Sequence, residues 1–134
     1  MVGFIVIGHG KFPSGMTDSL KMFFDSLENY TFVDFKEGQN TNEFSEELKS
    51  KINGLKKECN EVIIFADLFG GTPFNQAMML IQNDESIDIV TPACLPMLME
   101  AINSRYREDI TKDMIISNLE SGFKDYFINA KKLI

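Results

Sequence analysis

The chain of 134 residues is 44% hydrophobic and 25% charged, with a formal net charge of −7, which predicts one domain over 1–134 able to bury a core without disulfides or a structural metal. The acidic balance, with no basic cluster denser than Lys56-Lys57, excludes nucleic acid as the main partner, because such binding rests on Lys and Arg neutralising phosphates. Two isolated cysteines, Cys59 and Cys94, and a leading apolar run, Val2–Ile7, too short for a signal segment or a membrane span, predict a cytoplasmic chain with reduced thiols and no membrane insertion.

Short apolar runs alternate with helical patterns along the chain. Val2–Ile7 reads as a buried strand ending at Gly8. Met16, Leu20, Phe23, Phe24 and Leu27 follow at helical spacing, with Ser14 as the expected N-cap. Thr31–Phe35 alternates and reads as a second strand. After the loop 36–40, Phe44, Leu48, Ile52 and Leu55 mark a helix for which Asn40 and Glu43 suit a capping box. Val62-Ile63-Ile64-Phe65 is a continuous apolar run of the kind covered on both faces. Asp67 ends it, and a Gly-rich loop leads to Pro73, which fits the first helical position behind Thr72 as N-cap. Phe74, Ala77, Met78 and Ile81 continue this helix, and Met78-Met79-Leu80-Ile81 and Met97-Leu98-Met99 read as core. Ile87–Val90 is a fourth strand, Pro96 opens the next helix, and Asp109 or Thr111 begins another. Beyond Gly122, Tyr126-Phe127-Ile128 fits either helix or a short edge strand.

Strand and helix alternating four times predict an α/β fold: a doubly wound, mainly parallel sheet of four strands, order 2-1-3-4, with helices on both faces. Such sheets bind ligands beyond the carboxyl ends of their strands, where the winding reverses. That edge collects Gly8-His9-Gly10 after the first strand, Asp67-Leu68-Phe69-Gly70-Gly71-Thr72-Pro73-Phe74-Asn75 after the third and Thr91-Pro92 after the fourth. With strands one and three adjacent, His9, the chain's only histidine, lies beside Asp67. A carboxylate accepting the N–H of one imidazole nitrogen fixes the tautomer and leaves the other a better nucleophile. Flanking glycines remove side chains in the way of a bulky electrophile. Gly10, Ser14, Gly70 and Gly71 are the expected phosphate-binding loop positions, with the Thr72 hydroxyl as a further donor, because helix N-termini are natural anion sites.

Blander readings fit the same residues: a lone histidine in a turn, and Asp67 as a cap of the Gly-Gly turn. One His, two distant Cys and scattered carboxylates give no metal-ligand spacing. There is neither a P-loop nor a G-x-G-x-x-G pattern. The missing Arg before His9 argues against a phosphatase or mutase of the R-H-G type.

From end to end the chain resembles the enzyme IIA component of the mannose/fructose/sorbose-type sugar phosphotransferase system of bacteria. The resemblance is carried by Ile5–Gly10, by Asp34-Phe35 with Gly38 and Asn40, by Asp67–Asn75, and by Leu95–Glu100. It implies a phosphotransferase without cofactor or metal. His9 would accept a phosphoryl group on Nε2 from the phosphocarrier HPr and pass it to an enzyme IIB component, with Asp67 orienting the ring and Thr72 near the phosphoryl group. It also implies a homodimer in which a C-terminal strand around Tyr126–Asn129 crosses to the partner's sheet as an antiparallel edge. No Ala/Pro-rich hinge follows, so the IIB component is expected on a separate polypeptide, or this is an excised domain. Three alternatives stay open: the related phosphotransfer subunit of dihydroxyacetone kinase, a regulatory module read through its phosphorylation state, and a small-molecule binding domain with His9 as a plain ligand contact.

Overall fold

A computed structural model describes all 134 residues. The strands are β1 (Gly3–His9), β2 (Tyr30–Phe35), β3 (Val62–Ala66) and β4 (Ile87–Val90). The helices are α1 (Phe12–Leu20), α2 (Thr41–Lys56), α3 (Thr72–Ile81), α4 (Leu95–Ser104) and α5 (Lys112–Gly122), followed by 3-10 turns at Phe123–Tyr126 and Ala130–Leu133. The strands form one sheet in the order β2-β1-β3-β4, every pair parallel. Order, strand direction and α/β class are as the sequence predicts.

Period-two alternation divides the central strands between two cores. Phe4, Val6, Ile63 and Phe65 face α1, α4 and α5 through Leu20, Leu98, Ile102 and Ile115. Ile5, Ile7, Ile64 and Ala66 face α2 and α3 through Phe44, Leu48 and Ala77. On the first face Phe4 and Phe65 meet edge to face at 5.3 Å. Burying each such ring contributes roughly 1.5–3 kcal/mol. Because both faces are covered, β1 and β3 read as unbroken apolar runs. The winding reverses between them, so their carboxyl ends flank the crevice where this fold class takes ligands.

The helix starts depart from expectation. Ser14 is not an N-cap: α1 begins at Phe12 behind Lys11, and Ser14 lies inside its first turn. Thr72 is likewise the first residue of α3, with Gly71 at the cap. Leu95, not Pro96, opens α4. In all three helices proline is the second residue, where its missing N–H costs no intrahelical bond. Asn40 does cap α2, but its side chain accepts from the Asn42 N–H at 2.7 Å, and no capping box with Glu43 forms. Thr111 rather than Asp109 caps α5.

One further expectation fails. Met78 and Met79 are exposed, and only Ile81 of that run is buried, because four consecutive helical residues sweep round the whole cylinder. Tyr126–Asn129 forms no strand within this chain: Tyr126 closes a 3-10 turn and its hydroxyl donates to the Glu100 carboxylate on α4. No helix is long and apolar enough to cross a membrane.

Candidate active site

β1 ends at His9 and β3 ends one residue before Asp67. The ladder between them pairs Ile7 with Ala66 and runs one step further, the Asp67 N–H donating to the Ile7 carbonyl at 3.2 Å. The sheet itself therefore sets the two side chains together. The Asp67 carboxylate takes three donors: the His9 backbone N–H on Oδ2 at 2.9 Å, His9 Nδ1 on the same oxygen at 2.8 Å, and the Leu68 N–H on Oδ1 at 2.9 Å. A carboxylate held by its own loop and by the β1 backbone cannot swing, so it presents a fixed acceptor to the ring. Facing a carboxylate, Nδ1 is the donor, and in the neutral ring Nε2 then holds the lone pair. The His9 side chain is 46% exposed and that of Asp67 12%: the orienting group is covered and the reactive one is open. The Phe35 ring, opposite His9 in the β1–β2 register, meets the imidazole edge to face at 6.1 Å.

The loop after β3 closes over this pair. Gly70 adopts φ +85, a left-handed conformation open to glycine. The Asn75 side chain locks the turn by donating to the Gly70 carbonyl at 3.0 Å. Gly71 lies against the His9 ring, so close that a Cβ there would stand 2.7 Å from Cε1. In α3 the first intrahelical bond is Asn75 N–H to the Gly71 carbonyl, 2.8 Å. The N–H groups of Thr72 and Phe74 are thus left over at a helix N-terminus, directly after the residue that touches the imidazole. Thr72 is half-buried at that start.

The structure does not bring α1 into the same role. The Ser14 N–H, expected to face an anion, donates to Asp34 Oδ1 at 2.9 Å, and the Ser14 hydroxyl leans back toward the Lys11 carbonyl at 3.4 Å. The α1 N-terminus already holds an internal anion. Gly10 contributes a turn at φ +58, and its N–H is taken by the Phe35 carbonyl at 2.8 Å. Of the two expected anion nests, the α3 one remains. Sequence reasoning misses Asp34 as the group that fixes α1. Its position at the carboxyl end of β2, opposite Gly8 in register, is the available signal. No cluster of three or more His, Cys, Asp or Glu side chains is arranged to hold a metal.

The model of the family described as PTS system fructose IIA component matches residues 3–116. The chain belongs to this EIIA family. Among its relatives, the fructose-specific EIIA component of Bacillus subtilis (strain 168) is 31% identical over 127 residues, 95% of this chain and 85% of that one. A solved PTS IIA protein associated with the fucose utilization operon of Streptococcus pneumoniae superposes with a TM-score of 0.84 at 32% identity, covering 98% of this chain and 95% of the other. The phosphotransferase system component EIIA from Streptococcus agalactiae gives 0.86 at 26% identity, with 98% and 99% covered. The EIIA family is a phosphotransfer component of sugar transport, and these solved members share the α/β fold described above.

Proposed function

We propose that this EIIA chain is a phosphocarrier in which His9 accepts a phosphoryl group from HPr and donates it to an enzyme IIB component during sugar uptake. The observation that carries the reading is the Nδ1–Asp67 hydrogen bond of 2.8 Å, which in the neutral ring puts the lone pair on Nε2, on the open side. The Nε2 lone pair attacks phosphorus. The N–P bond of the donor's phosphohistidine breaks as the Nε2–P bond forms, and the donor nitrogen regains its lone pair. Nδ1 keeps its proton throughout, held by Asp67. Positive charge that develops on the ring is met by that carboxylate, and the phosphoryl oxygens are met by the α3 N-terminus and the Thr72 hydroxyl. Positioning and preorganised electrostatics are the main levers of phosphoryl transfer. The reverse geometry serves donation to IIB.

The test is phosphorylation with phosphoenolpyruvate and the general phosphotransferase proteins. Wild type is expected to gain an acid-labile phosphohistidine, and His9→Ala to gain none. Equal labelling of His9→Ala removes the reading.

We also infer a homodimer. The outer edge of β4 is unpaired in the sheet, and Phe127 is 88% exposed with Ile128 beside it also exposed. Strand addition by this segment of a second copy satisfies both. A concentration-independent monomer in sedimentation would reject it.

A further inference from the structure

Nine glycines occur in the chain, and two of them sit where a side chain is forbidden by neither turn geometry nor helix packing but by the catalytic pair itself. A Cβ at Gly8 would stand 2.8 Å from Asp67 Cγ and 3.0 Å from both its Cβ and its Oδ2. A Cβ at Gly71 would stand 2.7 Å from His9 Cε1 and 3.2 Å from its Nε2, with Leu68 Cδ1, the end of a half-exposed and flexible side chain, at 3.1 Å. Carbon atoms in contact keep about 3.5–4.0 Å, so each methyl demands a displacement approaching an ångström. Neither glycine has a positive φ; Gly71 is extended at φ −77, ψ 172. What glycine supplies at both positions is the missing Cβ, not backbone freedom. Gly10, Gly15, Gly38, Gly54, Gly70 and Gly122 have nothing within 4 Å of the same virtual atom.

The two close approaches act on the two partners of one hydrogen bond. Gly8 lets the Asp67 carboxylate settle against β1, where Oδ2 accepts from both His9 N and His9 Nδ1. Gly71 lets the ring stand far enough toward the α3 loop to reach that oxygen. A methyl at 8 pushes the carboxylate away from the ring; a methyl at 71 turns or slides the ring away from the carboxylate. We propose that Gly8 and Gly71 are positioning residues that set the His9–Asp67 hydrogen bond and through it the Nε2 lone pair. This revises the role of the glycine before His9: its missing side chain makes room for the orienting acid. The kinetic part rests on His9 as phosphoryl acceptor, and the tautomeric part stands without it.

The experiment compares Gly8→Ala and Gly71→Ala with Gly54→Ala, whose site on α2 is remote from the pair. Two quantities are read: the imidazole tautomer, from nitrogen-15 NMR of His9, and the rate of phosphoryl uptake from phosphorylated HPr. Misplacement by an ångström costs on the order of a hundredfold in rate. Gly8→Ala and Gly71→Ala should lose the Nδ1–H preference and slow uptake by about tenfold to a hundredfold, while Gly54→Ala keeps both. In an Asp67→Gly background none of the three Asp67 atoms that crowd position 8 remains, so adding Gly8→Ala should change the residual rate by less than about twofold. An unaltered tautomer in both alanine variants overturns the assignment, and so do multiplying losses in the double variant. Should Gly8→Ala fail to fold, recovery of the fold in the Asp67→Gly background supports the assignment and continued failure overturns it for Gly8. If wild type takes up no phosphoryl group, the phosphocarrier reading falls and the NMR comparison still decides the glycines.

Discussion

The two ends of the sheet use charge in opposite ways. At the carboxyl end a half-exposed His9 is held by one carboxylate and left with an open nitrogen. At the amino end Arg105 is 2% exposed and has no carboxylate partner; its guanidinium donates to the carbonyls of Val2 at 3.4 Å, Asn29 at 3.2 Å and Glu28, and its carbon lies 4.8 Å from the Phe4 ring centroid. Burial without a counter-charge makes it harder for the guanidinium to stay charged, which lowers its pKa. The amino end thus spends its cation on closing the backbone just before β1 and β2. The carboxyl end satisfies Asp67 in order to leave His9 Nε2 and the first N–H groups of α3 oriented and free. Changes at the amino end should therefore move stability, and changes at the carboxyl end should move chemistry.

Arg105→Met should have the largest effect. It leaves the Val2 and Glu28 carbonyls without their donor, each worth about 1–3 kcal/mol when stranded, while the Asn29 carbonyl keeps the Phe4 N–H at 3.0 Å, and it removes the contact with Phe4. A loss of roughly 3 kcal/mol is expected in urea denaturation, a large share of the 5–15 kcal/mol typical of a domain. Phosphoryl uptake by the folded fraction should be unchanged. Slowed uptake at full folding would break the division.

Asp67→Asn is the counterpart at the other end. An amide offers one acceptor oxygen where the carboxylate serves three donors, so the Nδ1 bond weakens or faces an N–H. Hydrogen bonds to charged groups contribute about 1.5–3 kcal/mol, which corresponds to roughly ten- to hundredfold slower uptake. The stability cost should be smaller, about 1 kcal/mol, because the loop stays half open to water. A normal rate would remove Asp67 from the mechanism.

The same division separates what is legible in the sequence from what is not. The strands announce themselves, since covering on both faces demands unbroken apolar runs such as Val62–Phe65, and the switch-point rule then brings His9 and Asp67 together from residue order alone. The helix starts near Ser14 and Thr72 are harder to read, because proline marks a first turn but not which residue of it. The group that takes the Ser14 N–H is Asp34, twenty residues away on β2, and long-range capping leaves no local pattern. Arg105 is invisible for the same reason: its partners lie more than seventy residues distant. The packing of Tyr126 on Glu100 overrides a segment whose composition suits strand or helix equally.

Tyr30 tests the first face of the sheet at alkaline pH. Burial pushes its phenol from an ordinary 10.0 up to about 12, against the opposing hydrogen bond with Thr17 at 2.9 Å. A raised folded value means that the stabilising contribution is complete below pH 10 and is lost as the pH climbs through about 12. Thermal melts between those limits should show a falling midpoint that flattens in Tyr30→Phe. Identical slopes would assign the alkaline loss to other groups.

The smallest expected effect lies at the amino end, in the loop between α3 and β4. Lys56 Nζ pairs with Asp84 Oδ2 at 2.8 Å and also donates to the Ser86 hydroxyl at 2.7 Å, while Ser86 donates its backbone N–H and hydroxyl to Asp84 Oδ1 at 3.0 and 2.6 Å. The Lys56 hydrogen bond, then the two from Ser86, lower the Asp84 carboxyl from 3.8 to about 2. A depressed folded value means the contribution is present above pH 3.8 and disappears as the pH falls through about 2. Both side chains are about one-third exposed, so water and salt screen the pair and its worth is below about 1 kcal/mol. Asp84→Asn should therefore lower the urea midpoint slightly at pH 6, and the difference should narrow steadily below pH 3.8 and close only below about 2. The difference at pH 6 should shrink in molar salt, where exposed charges are screened within about 3 Å. A pH-independent difference would mean that the Ser86 turn, rather than the charge, is what Asp84 supplies. Phosphoryl uptake should be indifferent to all of it, because nothing in this loop reaches the carboxyl edge where His9 stands.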